Sequence, residues 1–427
     1  MKPVVLPIGQ SGKLIYIATD RFKSELLSLS LFLPLKEGNA QQNAIVTALS
    51  RRGTHSYPTQ ALLSRHLDEM YSTAISTANR RIGDMQMISF TADFLGAGYV
   101  GGGKGLLPEV ISTLRELLLS PHFDEGGKYL AAYVESEKQV LRDAISAAVN
   151  DPRGFAHTRV RKLLCQGEPY GLSLIGEADT VDALTPVSLT ARYHALLEEA
   201  TPVWCYVGSA PAKEVVSLLE AEFATLGGVP TPYLEDVHAH KGAVRAGELE
   251  MPIQQGRLSL GFRADIAMKE PLAPALVLMN EILGGSPASK LFMNVRERLG
   301  LCYHCSSSLD LFKGVLFAAC GIKSSNRAVA EEAMLAELDE IRRGNFSQTE
   351  LNAAQRSLAN TYRAATDNPA VLSRFYTGRL AADAFEELDA WRLRLSRVTR
   401  EEIVAAAERT RLGAVFFLRG KEEVAEE

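Results

Sequence analysis

Hydrophobic positions along this chain describe one series of elements and then describe it again. A strand-like run, LSLSLFLPL from Leu27, has its counterpart in RLSLGFRADI from Arg257. Each run leads into a helix, a glycine-containing turn, a second helix and a β-like pair. In the first half these are ALLSRHLDEMYSTAIST and MQMISFTAD; in the second they are SKLFMNVRERLGLCYHCSSS and GVLFAACGI. Two long stretches of helical period follow in each half, LLPEVISTLRELLL with YVESEKQVLRDAISAAV, and AVAEEAMLAELDEIRR with SQTELNAAQRSLANTYRAA. Each half closes on a capped helix and a hydrophobic strand. The shared element order spans roughly 200 residues, which predicts duplicated domains and not a short-period solenoid. A Gly/Pro/His-rich break over residues 227–247 separates a first domain, 1–226, from a second, 248–427. Strands gathered with helices on one face give an α+β fold.

Composition narrows the function more than the fold. The chain has 427 residues, 46% of them apolar and 23% charged, enough for more than one ordinary core. A net charge of −5 and the lack of a basic stripe interleaved with aromatics argue against nucleic acid. No apolar run reaches membrane-span length, and the N-terminal stretch has no apolar signal-peptide core. Five scattered cysteines fit reduced thiols better than a disulfide framework, so a cytoplasmic setting is expected.

The segment NAQQNAIVTALSRRGT, Asn39 to Thr54, reads as a short helix. Asn39 and Gln42 are expected to cap its start, Gly53 to end it, and Ala40, Ala44, Ile45, Ala48 and Leu49 to form one apolar face. This segment resembles the first helix of the insulinase/pitrilysin metallopeptidase family, in which H-x-x-E-H stands shortly before a Gly-Thr. Counting back from Gly53-Thr54 puts the two histidine positions on Ala44 and Ala48 and the glutamate position on Thr47. Two histidines at i and i+4 can hold one zinc while the glutamate activates its water. Alanine has no lone pair to offer. The family's third ligand, a glutamate on a long helix, maps onto Glu135, and Lys128 stands where an assisting acid is expected one or two turns earlier. No metal, cofactor or catalytic residue is therefore expected, and Glu135 is read as a solvated helix carboxylate.

The second half keeps more of the family pattern. LGGSPASKLFMNVRERLGLCYHCSSS, Leu283 to Ser308, is similar to the segment where a Gly-Gly turn precedes a helix, an arginine and then Gly-Leu-x-Tyr. Arg296 and Tyr303 match the arginine–tyrosine pair that, in the family, grips the substrate backbone across from the zinc. An arginine offers a forked cationic donor and a tyrosine a rigid hydroxyl. The alternative is that Arg296 is a surface helix residue and Tyr303 packs in a strand.

Three further motifs resolve into bland readings. His66-Leu-Asp-Glu69-Met70 is out of register with the family site, and Met70 continues the apolar row Leu63, Leu67, Met70, Ala74. The glycines from Gly98 to Gly105 imitate a phosphate loop, but Gly105 stands where Ser or Thr would hold magnesium, so a flexible turn is expected. Cys302 and Cys305 form a C-x-x-C predicted to lie on a strand, where residues three apart face opposite ways, and His238 and His240 fall in the linker, where solvation is expected.

The resemblance implies two duplicated domains of the insulinase/pitrilysin, metalloenzyme-like fold forming a clamshell, without peptidase activity in this chain. It also implies a heterodimer in which a zinc-bearing partner chain cleaves peptide while this chain supplies the opposite wall, Arg296 and Tyr303. The rival reading is a stand-alone structural or peptide-binding protein, with no membrane and no nucleic-acid partner in either case.

Overall fold

A computed structural model describes residues 2–101, 105–230, 232–233 and 235–420. Packing divides the chain into two compact units. The first comprises Met1–Ser146, Leu172–Leu234 and Ala365–Glu387; the second comprises Ala147–Gly171, Glu235–Ala364 and Leu388–Glu427.

The first unit is built on β1 (Val4–Ile8), β2 (Gly12–Ala18), β3 (Ser24–Pro34), β4 (Ala74–Ile82), β5 (Met85–Leu95) and β6 (Thr201–Gly208). They form one sheet in the order β1-β2-β6-β3-β5-β4, in which only β2 and β6 run parallel. Leu27, Leu29, Leu31 and Leu33 of β3 point into a core shared with Ile45 and Leu49 of the helix Asn39–Leu49 and with Val110 and Leu114 of the helix Leu107–Leu119. Because side chains alternate along a strand, Ser28 and Ser30 face the other side of the sheet.

The second unit repeats this plan with one strand fewer. Its strands are β7 (Arg245–Met251), β8 (Gly256–Arg263), β9 (Cys302–Asp310), β10 (Val315–Ile322) and β11 (Arg411–Gly420), in the order β7-β11-β8-β10-β9. Here β7 and β11 are the parallel pair and all other neighbours are antiparallel. That is the first sheet without β1, strand for strand. The duplicated α+β plan read from the element order is what the protein adopts.

The contiguous halves 1–226 and 248–427 do not describe how the core is packed, because each half contributes a helix to the other half's unit. The helix Pro152–Leu164 lies on β8 and β11 of the second sheet, with Ala156, Val160 and Leu164 packed against Phe317, Ala414 and Phe416. Glycines make its seat. A Cβ on Gly413 would come within 2.6 Å of Leu164 Cδ1, and one on Gly261 within 3.3 Å of both Leu164 and Val160. Reciprocally, the helix Pro369–Ala381 packs on β3 and β6 of the first sheet. Asn368 caps it by accepting from the amides of Ala370 and Val371, with Pro369 in the first turn.

Candidate functional site

In the first unit, the helix Asn39–Leu49 starts at Gly38, whose φ of 77° is left-handed, and no side chain caps it. The expected cap by Asn39 and Gln42 is not made. Gln41 is drawn inward instead, donating to the carbonyls of Ile175 and Glu177 at 3.1 and 3.2 Å and accepting from the Thr180 hydroxyl at 2.8 Å. The expected apolar face is buried at Ala40, Ile45 and Leu49 but not throughout. Ala44 and Ala48 are only half-buried, whereas Asn43 and Thr47 are buried. Asn43 donates to Gln86 Oε1 and accepts from Arg192 Nε, both at 2.7 Å. This polar network makes burial of an amide tolerable, since an unpaired one would cost about 1–3 kcal/mol.

The positions that the resemblance aligns with the zinc motif are accounted for one by one. Ala44 and Ala48 carry no donor atom. The hydroxyl of Thr47 donates to the carbonyl of Asn43 at 2.7 Å, one turn back in its own helix. Glu135, on the helix Ala131–Ala147, is exposed, and its carboxylate is bound by the buried Lys138 ammonium at 3.0 Å. Lys138 also donates to the carbonyls of Asp182 and Leu184, so it is fixed beside Glu135. A fixed cation next to the remaining carboxylate repels a metal ion. Lys128 lies in the exposed turn before that helix, where its amide donates to Asp124. From the turn after the first helix, Arg52 pairs with the buried Glu137 of the second and donates to Ser136 at 3.1 Å. Among the described residues, no group of three or more His, Cys, Asp or Glu could hold a metal ion.

The His66 segment packs as read up to Met70, but Ala74, expected in the same apolar row, is exposed and begins β4. His66 stacks on Tyr57 and bonds the Thr113 hydroxyl, Glu69 pairs with Arg65, and Met70 is buried. Of the glycine loop, residues 102–104 lie outside the described residues.

In the second unit, wide helical turns of π type over Leu291–Arg298 deliver Arg296. Its guanidinium stacks over Phe292 at 4.3 Å, pairs with Glu297 at 3.5 Å and stays 37% exposed. Gly300, at a φ of 61°, turns the chain into β9. There the register slips: Gly321 faces His304 but Ile322 faces Cys302, so Tyr303 is an extra residue in a β-bulge. The bulge throws Tyr303 outward, 79% exposed, on a strand at the sheet edge. Its hydroxyl makes no hydrogen bond among the described residues. Arg296 lies close enough for its charge to act on both neighbours of Tyr303. The Cys302 thiol is held below its ordinary pKa by a hydrogen bond from Cys305 and, against burial, by Arg296. The His304 ring is lowered by burial and by Arg153, Arg257 and Arg296.

The bulge also overturns the expected orientation of the C-x-x-C. An inserted residue adds one to the strand count, so Cys302 and Cys305 face the same way, both buried and hydrogen-bonded to each other. Cys320, opposite Cys305, joins them, and Cys305 is strongly raised by these thiol contacts and by burial. All five cysteines are free thiols.

The histidines of the linker are not merely solvated. His238 sits 3.3 Å from Asp236 and 3.7 Å from Glu168. These carboxylates belong to a buried network that composition did not announce. Lys313, almost fully buried, bonds Asp236 at 2.6 Å and Glu168 at 3.0 Å, while buried Arg263 also pairs with Glu168.

The chain is similar to several known proteins. Residues 183–358 match the profile of the peptidase M16 inactive domain. A probable inactive metalloprotease of Bacillus subtilis, YmfF, is 28% identical over 410 residues, 95% of each chain. An uncharacterized zinc protease of Mycobacterium tuberculosis is 26% identical, covering 70% of this chain and 68% of its own. Among solved structures, a conserved protein from Enterococcus faecalis superposes with a TM-score of 0.91 at 26% identity, over 99% of both chains. A peptidase M16 inactive domain from Pseudomonas fluorescens, at 17% identity and a TM-score of 0.79 over 99% of both chains, shares the fold. Among the described residues, no helix is long and apolar enough to cross a membrane.

Proposed function

We propose that this chain is an inactive-type homologue of the M16, or insulinase/pitrilysin, zinc peptidases, and that it serves as the non-catalytic subunit of a heterodimeric peptidase. Its partner is a related chain bearing H-x-x-E-H and zinc. This chain supplies Arg296 and Tyr303 to the bound peptide and lends the open edge of β9 to an extended backbone by strand addition. The observation that carries the reading is the asymmetry between the two candidate sites. Every zinc position is occupied by a residue that cannot ligate or is tied elsewhere. The arginine–tyrosine segment, in contrast, presents a stacked, half-exposed guanidinium beside a tyrosine that a bulge holds in solvent. A tyrosine kept for packing would be buried.

Such a subunit contributes no metal chemistry of its own. The guanidinium can donate to peptide carbonyl oxygens, and the phenol can donate to an oxygen on which negative charge develops. The reading is tested by combining the purified chain with a zinc-bearing M16 chain from the same organism. A stable one-to-one complex that cleaves unfolded peptide, where this chain alone does not, supports the proposal. A chain that pairs with no M16 peptidase, yet binds peptide by itself, supports the stand-alone reading.

A further inference from the structure

The two exchanged helices sit on equivalent faces of duplicated sheets, yet they meet very different surfaces. In the second unit, the contact under Pro152–Leu164 is built mainly of apolar side chains, with Arg245 and Arg263 donating to the carbonyls at its C-terminal end. In the first unit, the contact under Pro369–Ala381 encloses a cavity of about 170 Å³ lined by hydroxyls. Ser30 of β3, Ser76 of β4 and Ser89 and Thr91 of β5 face it from the sheet. From the helix side, the Ser373 hydroxyl meets Ser28 at 2.8 Å. Thr377 also lines the cavity from the helix and is 2% exposed, yet its hydroxyl has no hydrogen-bond partner among the described residues. Two exposed arginines, Arg80 and Arg374, complete the lining. Neither makes an ion pair or hydrogen bond among the described residues, and no carboxylate lines the cavity.

In the duplicate, the contact beneath the helix is filled by Val160, Leu164, Phe317 and Phe416. A buried hydroxyl without a partner costs stability. That cost disappears if a ligand accepts from the hydroxyl, and an anionic ligand would also meet the two arginines. We propose that this cavity binds a small oxyanion, a phosphate group above all, with Arg80 and Arg374 as forked donors and Thr377 as a buried hydroxyl donor. The size agrees: the cavity falls below the ~300 Å³ typical of sites for larger organic ligands. The site faces away from the helix Asn39–Leu49, since Met87, Ser89 and Thr91 alternate with Gln86, Ile88 and Phe90, and Gln86 is the residue that bonds that helix.

Equilibrium dialysis of the full chain against labelled inorganic phosphate, at constant ionic strength, tests the assignment. Saturable binding of one phosphate per chain is expected. Arg80→Gln and Arg374→Gln should each weaken it about tenfold or more, as expected for loss of a charge-assisted donor. Thr377→Val should raise the melting temperature without phosphate, by removing an unpaired hydroxyl, and should gain less from phosphate than the wild type. Competition by glycerol 3-phosphate separates an ester ligand, which displaces phosphate at lower concentration, from the free ion. Absence of saturable binding at millimolar phosphate, or binding unchanged in the Arg80→Gln/Arg374→Gln double variant, overturns the proposal.

Discussion

Thr47 shows how a single side chain decides the chemistry of the first unit. Aligned by the resemblance with a water-activating glutamate, it spends its hydroxyl on the carbonyl of Asn43, and its neighbours Ala44 and Ala48 offer nothing. Glu135 alone remains, held by Lys138. A protein zinc site needs three or more ligands, so purified protein should carry no stoichiometric zinc by metal analysis. About one tightly held zinc per chain, lost in Glu135→Ala, would contradict this. Arg52, in the turn after the helix Asn39–Leu49, pairs with Glu137 of the helix Ala131–Ala147, and Arg52→Met should destabilise the protein by about 1–3 kcal/mol by leaving a buried carboxylate unpaired, measurable by chemical denaturation. The alanines could be read directly from the sequence. The burial of Asn43 could not, because its partners Gln86 and Arg192 are 43 and 149 residues away. The facing of Cys302 and Cys305 was misread for a related reason: a bulge at Tyr303 breaks the period of two, and nothing local in CYHC announces it.

At the scale of elements, the segment after the exchanged helix is anchored by charge. Glu168 lies between Arg263 on β8 and Lys313 beside β10, two cations buried almost completely. Glu168→Ala would leave both without their shared carboxylate, and a loss of about 3–5 kcal/mol is expected on thermal or urea unfolding. Lys313 also reaches Asp236 in the linker. Burial pushes the Asp236 carboxyl up, but the Lys313 hydrogen bond and charge, helped by His238, outweigh it and leave its pKa below the ordinary 3.8. A carboxyl depressed in the folded state stabilises above its unfolded value and loses that contribution as pH falls through its folded value. Wild-type stability should therefore fall with acid below about pH 4, and Lys313→Met should flatten that limb. An unchanged acid limb in the variant would assign the effect to other groups. The strands were legible because their apolar runs are long. The network was not, because its members come from four separate stretches of chain.

At the scale of the whole molecule, duplication was legible and exchange was not. Element order survives in sequence, and the two sheets repeat it strand for strand. Which sheet a helix covers is settled by glycine seats such as Gly261 and Gly413, far from Leu164 in sequence. Residues 1–226 expressed alone should thus lack the helix Pro369–Ala381 that packs on their sheet, and should melt below the full chain. Adding a peptide of residues 365–387 should recover part of the loss, whereas equal melting of fragment and full chain would mean the exchanged helix contributes nothing. The central claim, that this chain positions substrate for a zinc-bearing partner, is tested most directly by peptide turnover of the assembled heterodimer carrying Arg296→Ala and Tyr303→Phe. A hydrogen bond to an oxygen strengthens as charge develops on it, so loss of a donor acts mainly on turnover. We predict that kcat falls about a hundred- to a thousandfold while the variant still elutes with its partner. Undiminished turnover in an assembled double variant would contradict the account.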